Sequence, residues 1–365
     1  MQQNTTGNTK IRLLILTPTL ECGGSEKYVS LLCNNINSQQ FDVTLAVINN
    51  ANPFYTITDS AVKIIDLKKK HVRSSLFKIL ATIKTVKPDI VYSTANHLNI
   101  YIALFRRLFS KKIKFIARES SVASINTKRA KLPTFYNWLI KKYYKKIDCI
   151  ICQSQYMQQD LIDNYAVSEN KTVVINNPVE EVAGTIHAPV VNKFVTVARL
   201  SEEKGIDRLI RSVAKLTMPF QFYIIGDGNK RGALQQLIDS LHLQNKIFLQ
   251  GRKENPFTGL EDAAFFLMGS HYEGFPNTLL EAGMLGIPVI AFNVPGGINE
   301  IITNGENGLL VKNNDEDAFS LAIEKGVLIN FSRRQIKQTT QKRFSANDIV
   351  KKTANLFMQL YMQSK

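Results

Sequence analysis

The stretch "SHYEGFPNTLLEAGMLGIPVIA", residues 270–291, follows the apolar run AFFLM (264–268) and ends inside another, PVIAF (288–292). Both runs are aliphatic or aromatic throughout, as strands buried on both faces are in parallel sheets. Between them Pro276 suits an entry turn, and Asn277 or Thr278 starts a helix. Strand, helix and strand in succession form a βαβ unit, which implies a parallel sheet. Glu281 falls about one turn into that helix, and Glu273 lies in the loop before it. A helix start presents amides and the positive end of a dipole, suited to a phosphate oxygen. A carboxylate accepts two hydrogen bonds, as a sugar diol offers. Two ordinary surface glutamates are the plain alternative. It leaves unexplained why they flank a glycine, a proline and a helix start.

The same pattern runs outward in both directions. In the first half IRLLILT (11–17), DVTLAVI (42–48), VKIIDL (62–67), DIVYS (89–93), KIKFIA (112–117), DCIICQ (148–153) and TVVIN (172–176) read as strands. Helical spacing separates several of them. In the second half FVTVA (194–198), FYIIG (222–226), KIFLQ (246–250) and GLLV (308–311) join the two runs already quoted. The stretch 177–192, rich in proline and small residues, reads as a linker. The fold class is therefore α/β, with doubly wound domains over 9–180 and 190–345. NDIVKKTANLFMQLYMQ reads as an amphipathic helix capped at Ser345 or Asn347. Open sheets of this kind bind ligands at the carboxyl edge of their strands.

Loops at that edge carry the candidate chemistry. Gly23 and Gly24 turn the first strand into a helix that Ser25 can cap, and small residues there let a ligand reach the backbone. A plain tight turn is the alternative. The loop is not G-x-G-x-x-G, which argues against a nicotinamide enzyme. Arg199 and Lys204, in VARLSEEKGIDRLI, follow the first strand of the second half. An arginine fork and a lysine point charge suit a diphosphate. A pair of solvated cations is the alternative. Gly226 in IIGDG, and Gly251 with Arg252 in LQGRKENP, follow the next two strands.

The net charge of +16 is uneven: residues 1–180 hold 25 Lys/Arg against 12 Asp/Glu, and residues 181–365 hold 21 against 18. The first half is thus expected to meet something negative, either nucleic acid or an anionic membrane. Nucleic acid is disfavoured, because no recognition motif is present and the charge is spread. KRAKLPTFYNWLIKKYYKKIDC (128–149) mixes cations with Phe135, Tyr136, Trp138, Tyr143 and Tyr144. Such a helix suits an anionic bilayer surface, the alternative being aromatics packed into the core. Cys149 and Cys152 form a C-x-x-C inside a strand, where residues three apart point to opposite faces. No second Cys/His pair lies nearby, so free buried thiols are expected, with no metal. A polar start and the lack of a long apolar run point to the cytoplasm.

The pieces "GGSEKYV", "ARLSEEKGIDRLI", "IIGDG", "SHYEGFPNTLLEAGMLGIPVIA" and "GGINEII", in this order, resemble the retaining glycosyltransferases of family 4. The resemblance covers nearly the whole chain and is strongest over 194–311. It implies the GT-B fold, two Rossmann-like domains facing each other across a cleft, with helix 346–363 returning to the N-terminal domain. It also implies that Arg199 and Lys204 bind the donor diphosphate, Glu273 the donor sugar and Glu281 the ribose. Gly274, Phe275, Pro276, Asn277, Thr278 and Leu279 would hold phosphate and sugar through their backbone. Gly226 and Arg252 would complete the donor side, and Gly23 and Gly24 would approach the phosphates from the N-terminal domain. His97 matches a histidine that contacts the donor sugar, and Arg118 and Glu119 would face the acceptor. The implied catalytic set is Glu273, Arg199, Lys204 and His97, with no metal and no cofactor. Gly269 stands where the family pattern has a proline, which alters loop stiffness. The implied reaction moves a hexose or N-acetylhexosamine from a nucleotide sugar, a UDP-sugar, to a polyprenyl-diphosphate-linked glycan. The setting would be bacterial surface polysaccharide synthesis at the inner face of the cytoplasmic membrane. A non-hydrolysing nucleotide-sugar epimerase, a non-catalytic GT-B scaffold and a nucleic-acid-binding protein are the alternatives.

Overall fold

The apolar runs become two parallel sheets in the computed structural model, which describes residues 10–181 and 186–365. The first sheet holds β1 (Ile11–Thr17), β2 (Phe41–Val47), β3 (Lys63–Asp66), β4 (Ile90–Ser93), β5 (Lys114–Arg118), β6 (Cys149–Cys152) and β7 (Thr172–Val174). Their order is β3-β2-β1-β4-β5-β6-β7. The second holds β8 (Val190–Val197), β9 (Gln221–Ile225), β10 (Ile247–Gly251), β11 (Ala263–Met268), β12 (Val289–Asn293) and β13 (Gly308–Lys312), in the order β10-β9-β8-β11-β12-β13. β4, β6 and β11 are buried along their whole length, which is why their sequences do not alternate.

The first unit is the chain up to Pro178 together with Ala346–Lys365; the second is Val179–Ser345. Side chains of β1 alternate between two apolar layers, one on each face of the first sheet. Helices Leu76–Val86, Asn96–Phe105, Pro133–Tyr143 and Gln155–Tyr165 supply one layer with Ile79, Leu98, Ile140 and Leu161. Helices Gly24–Asn35 and Ala346–Met362 supply the other with Leu32 and Phe357. The Phe357 ring meets Tyr92 edge-on at 5.1 Å, and the Tyr28 hydroxyl lies 3.1 Å from that of Thr353. The second unit has one continuous core around its sheet.

Four details differ from the sequence reading. Strand β8 starts at Val190, inside the stretch read as linker, while residues 182–185 of that stretch lie outside the described residues. The first helix starts at Gly24 and is capped by Gly23 with no side-chain bond, so Ser25 lies within it. Asn347 likewise lies inside the last helix, which starts at Ala346. Residues 128–149 do not form one helix. Ala123–Arg129 ends, Pro133 opens a new helix at the position proline favours, and Tyr144–Lys146 is a 3-10 turn. Tyr144 points into the core. Cys149 and Cys152 are free and buried, whereas Cys22 is free and exposed. Among the described residues no helix is long and apolar enough to cross a membrane.

Candidate active site

Each sheet reverses its direction of growth once, between β1 and β4 and between β8 and β11. Such a switch point opens a crevice at the carboxyl ends of the two strands, because their following segments depart in opposite directions. In the second unit the loop after β8 carries Arg199 and Lys204, and the loop after β11 carries Glu273. Lys204 Nζ donates to Glu273 Oε1 at 2.6 Å, and Ser270 Oγ donates to the same oxygen at 2.6 Å. Glu273 is 9% exposed, whereas the Lys204 side chain keeps 27% of its surface in water. Oε2 has no hydrogen-bond partner among the described residues. Arg199 is exposed in the same loop as Lys204, directly after β8.

The Glu273 loop is fixed from two sides. Its backbone N–H donates to Pro295 O at 3.0 Å, and Gly297 N–H donates to Gly274 O at 2.9 Å. Gly296, at φ +126°, packs so closely that a Cβ would lie 1.6 Å from Glu273 O. Only glycine serves there. On the other side Arg208, 2% exposed, donates from Nε to Gly269 O at 2.5 Å and from Nη2 to Ser270 O. Its Nη1 reaches Asn313 Oδ1 at 2.9 Å and Asn314 Oδ1 at 3.1 Å, and its guanidinium lies 4.0 Å from the Phe292 ring centroid. Burial pushes the Arg208 pKa down to about 10. Gly269, where the family pattern has proline, meets Gly205 backbone to backbone: a Cβ on it would lie 2.4 Å from Gly205 O. The sequence reading missed Arg208, Ser270 and Gly296. The GGINEII motif contains Gly296, but nothing in Arg208 beyond its place in a helix marked it as buried.

Helix Asn277–Met284 starts with Pro276 in the cap position and no side-chain cap bond. Its first amides, with the backbone of Gly274 and Phe275, stand after β11 at the edge that carries Glu273. Thr278 lies in the first turn, Leu279 is buried within it, and Glu281 is half-buried one turn in. Gly226 closes β9, its N–H donating to Gly251 O at 2.8 Å, and Arg252 is exposed after β10.

In the first unit the switch point lies between Gly23-Gly24, after β1, and His97, after β4. Gly23 caps its helix, and the Glu26 carboxylate folds over it so closely that a Cβ would lie 2.2 Å from Oε2. His97 is exposed in the first turn of helix Asn96–Phe105. Enough protein still surrounds its ring to lower the pKa by desolvation. Arg118 and Glu119 end β5 but are wholly buried and engage different partners. Arg118 Nη2 donates to Asn177 Oδ1 at 2.6 Å and lies over the Tyr28 ring at 3.8 Å. Glu119 Oε1 accepts from Tyr144 Oη at 2.8 Å and Asn99 Nδ2 at 2.9 Å, and burial pushes its pKa up to about 7. Neither side chain stands on a surface that an acceptor could touch in this structure.

Comparison with known proteins matches both units. The model described as "Glycosyltransferase Family 4" matches residues 22–181, and the one described as "Glycosyl transferases group 1" matches residues 185–343. An N-acetylgalactosamine-N,N'-diacetylbacillosaminyl-diphospho-undecaprenol 4-alpha-N-acetylgalactosaminyltransferase of Campylobacter jejuni is 27% identical over 355 residues, covering 93% of this chain and 96% of that one. An amylovoran biosynthesis glycosyltransferase of Erwinia amylovora is 24% identical over 338 residues, covering 90% and 93%. Among solved structures, the lipopolysaccharide outer core galactosyltransferase WaaB in its apo form superposes with a TM-score of 0.77 at 20% identity, covering 95% of this chain and 99% of that one. HepE of Anabaena in complex with UDP superposes with a TM-score of 0.77 at 17% identity, covering 96% and 100%. These likenesses show the GT-B fold.

Proposed function

The chain is a glycosyltransferase of family 4 with the GT-B fold, and we propose that it moves a hexose or N-acetylhexosamine from a UDP-sugar to a lipid-linked glycan with retention of configuration. The observation that carries this is the Lys204–Glu273 pair at the switch point of the second sheet, beside Arg199 and the start of helix Asn277–Met284. In this reading the bond from the sugar's anomeric carbon to the diphosphate breaks, and charge gathers on the leaving oxygens. Arg199, Lys204 and the helix amides meet that charge, as fixed cations and dipoles do in electrostatic catalysis. Glu281 accepts from the ribose hydroxyls, and Glu273 Oε2 from the sugar. The acceptor oxygen attacks the same face, its proton passing to the departing phosphate. Fixed cations take the place of a metal.

The Campylobacter jejuni relative, whose name specifies a diphospho-undecaprenol substrate, supports a polyprenyl-diphosphate acceptor, and the Erwinia amylovora relative, named for amylovoran biosynthesis, supports a role in polysaccharide synthesis. The complex of HepE with UDP supports the uridine donor. A basic first unit fits an acceptor held at an anionic membrane on its cytoplasmic side. The test is a panel of UDP-sugars with polyprenyl-diphosphate glycans, with products read by mass and by the anomeric coupling in NMR. A product with the donor's anomeric configuration is expected; an inverted product contradicts the mechanism. Glu273→Gln is expected to lower kcat by at least roughly 100-fold while UDP still binds. Near-native turnover would remove Glu273 from the reaction.

A further inference from the structure

Of the chain's 46 lysines and arginines, 20 fall between residues 67 and 147, where the only acids are Asp89 and Glu119. Neither offsets the surface charge there, because Glu119 is buried and Asp89 is bonded by Arg12 at 2.9 Å. Helices Leu76–Val86, Asn96–Phe105 and Pro133–Tyr143 bury their inner sides in one apolar layer on one face of the first sheet, so their outer sides share one surface.

That surface is apolar as well as basic. Phe77 is 86% exposed, Leu108 67%, Leu132 61%, Phe135 51% and Trp138 47%. The rings of Phe135 and Trp138 stack with centroids 6.0 Å apart. Lys142 Nζ lies 4.5 Å from the Trp138 ring centroid, and Lys146 Nζ lies 3.9 Å from that of Tyr143. Helix Asn96–Phe105 packs against helix Pro133–Tyr143 and against the turn Tyr144–Lys146. Desolvation and then the like charges of Arg107 and Lys142 lower the Lys146 pKa. Burial and then Tyr136 push the Tyr101 pKa up while Arg73 opposes them, and Phe77 follows Arg73 by four residues. Single exposed apolar side chains are ordinary. Aromatic side chains among cations, on three helices that carry no acidic residue, have the composition of an interfacial surface.

We propose that Phe77, Phe135 and Trp138 enter the headgroup–acyl boundary of an anionic bilayer while Arg107, Lys142 and Lys146 lie against the lipid phosphates. The proposal deepens the reading of a lipid-linked acceptor, but its test does not depend on catalysis. Trp138 is the chain's one tryptophan, so its fluorescence reports the patch alone. With vesicles of phosphatidylcholine and phosphatidylglycerol, its emission is expected to shift to the blue and to be quenched by lipids brominated on the acyl chain near the headgroup. Phe77→Ser with Phe135→Ser is expected to weaken vesicle partition roughly tenfold, leaving thermal stability and UDP binding unchanged. Lys142→Gln with Lys146→Gln is expected to reduce the preference for anionic over zwitterionic vesicles. Sedimentation with vesicles without blue shift or quenching would mean a charge contact only and would overturn insertion. No association with vesicles would overturn the surface as a membrane site and leave a protein partner as its occupant. Insertion by a protein that binds no UDP would leave this surface standing and sink the donor reading instead.

Discussion

At the scale of single residues, Glu273 and Lys204 were legible because each stands in a short loop just past an apolar run. Their ion pair was not legible, since they lie 69 positions apart and only the parallel order β8-β11 makes them neighbours. Arg208 was missed for a related reason. In sequence it is one more cation on an amphipathic helix, and its burial depends on the carbonyls of Gly269 and Ser270 arriving from another strand. Arg118 and Glu119 show the converse. Their place at a strand end suggested an acceptor contact, yet the packing of Tyr28 and Tyr144 encloses them. Glu119 gives a pH prediction. Burial lifts its carboxyl from 4.5 to about 7. Between those values the folded chain keeps a proton that the unfolded chain has released. Its contribution is therefore most favourable below the lower value and is lost as pH rises through the higher one. Glu119→Gln removes that dependence while keeping an oxygen to accept from Tyr144 and Asn99. The Tm of the variant relative to the native protein is expected to rise from pH 5 to pH 8 in thermal unfolding; a constant difference would contradict it.

At the scale of elements, apolar runs located the strands because two-sided burial leaves no polar alternation to confuse the reading. Boundaries were harder. The 128–149 segment carries helix-forming residues throughout, but Pro133 cannot continue a helix and instead opens one. The linker reading failed at Val190, where exposed valines precede the buried part of β8. The element that holds the candidate site is helix Ile206–Ala214, through Arg208. Arg208→Met would leave the carbonyls of Gly269 and Ser270 unpaired in the interior. A loss of about 2–4 kcal/mol is expected from two such groups, read as a lower urea midpoint. Arg208→Lys can restore only part of the fork and is expected to fall between. A midpoint unchanged in both variants would show that the loop does not depend on this anchor.

At the scale of the molecule, two doubly wound units, each with one switch point, put the loops chosen from the sequence at two carboxyl edges. The order of the strands was not written in the runs themselves; it follows from right-handed crossovers and from which helices find an apolar face to cover. The charge asymmetry was legible as a total, but the structure adds that the basic segment shares its surface with exposed aromatics. The chosen loops bind a nucleotide diphosphate in the proposed reaction, and calorimetric titration of UDP, GDP, ADP and dTDP tests this most directly. UDP is expected to bind, with affinity falling at least roughly tenfold in Arg199→Ala, through loss of a charge-assisted contact, and in Glu281→Ala, through loss of the ribose. If no nucleotide binds, or if UDP binds both variants as tightly as the native protein, the switch point of the second sheet is not the donor site.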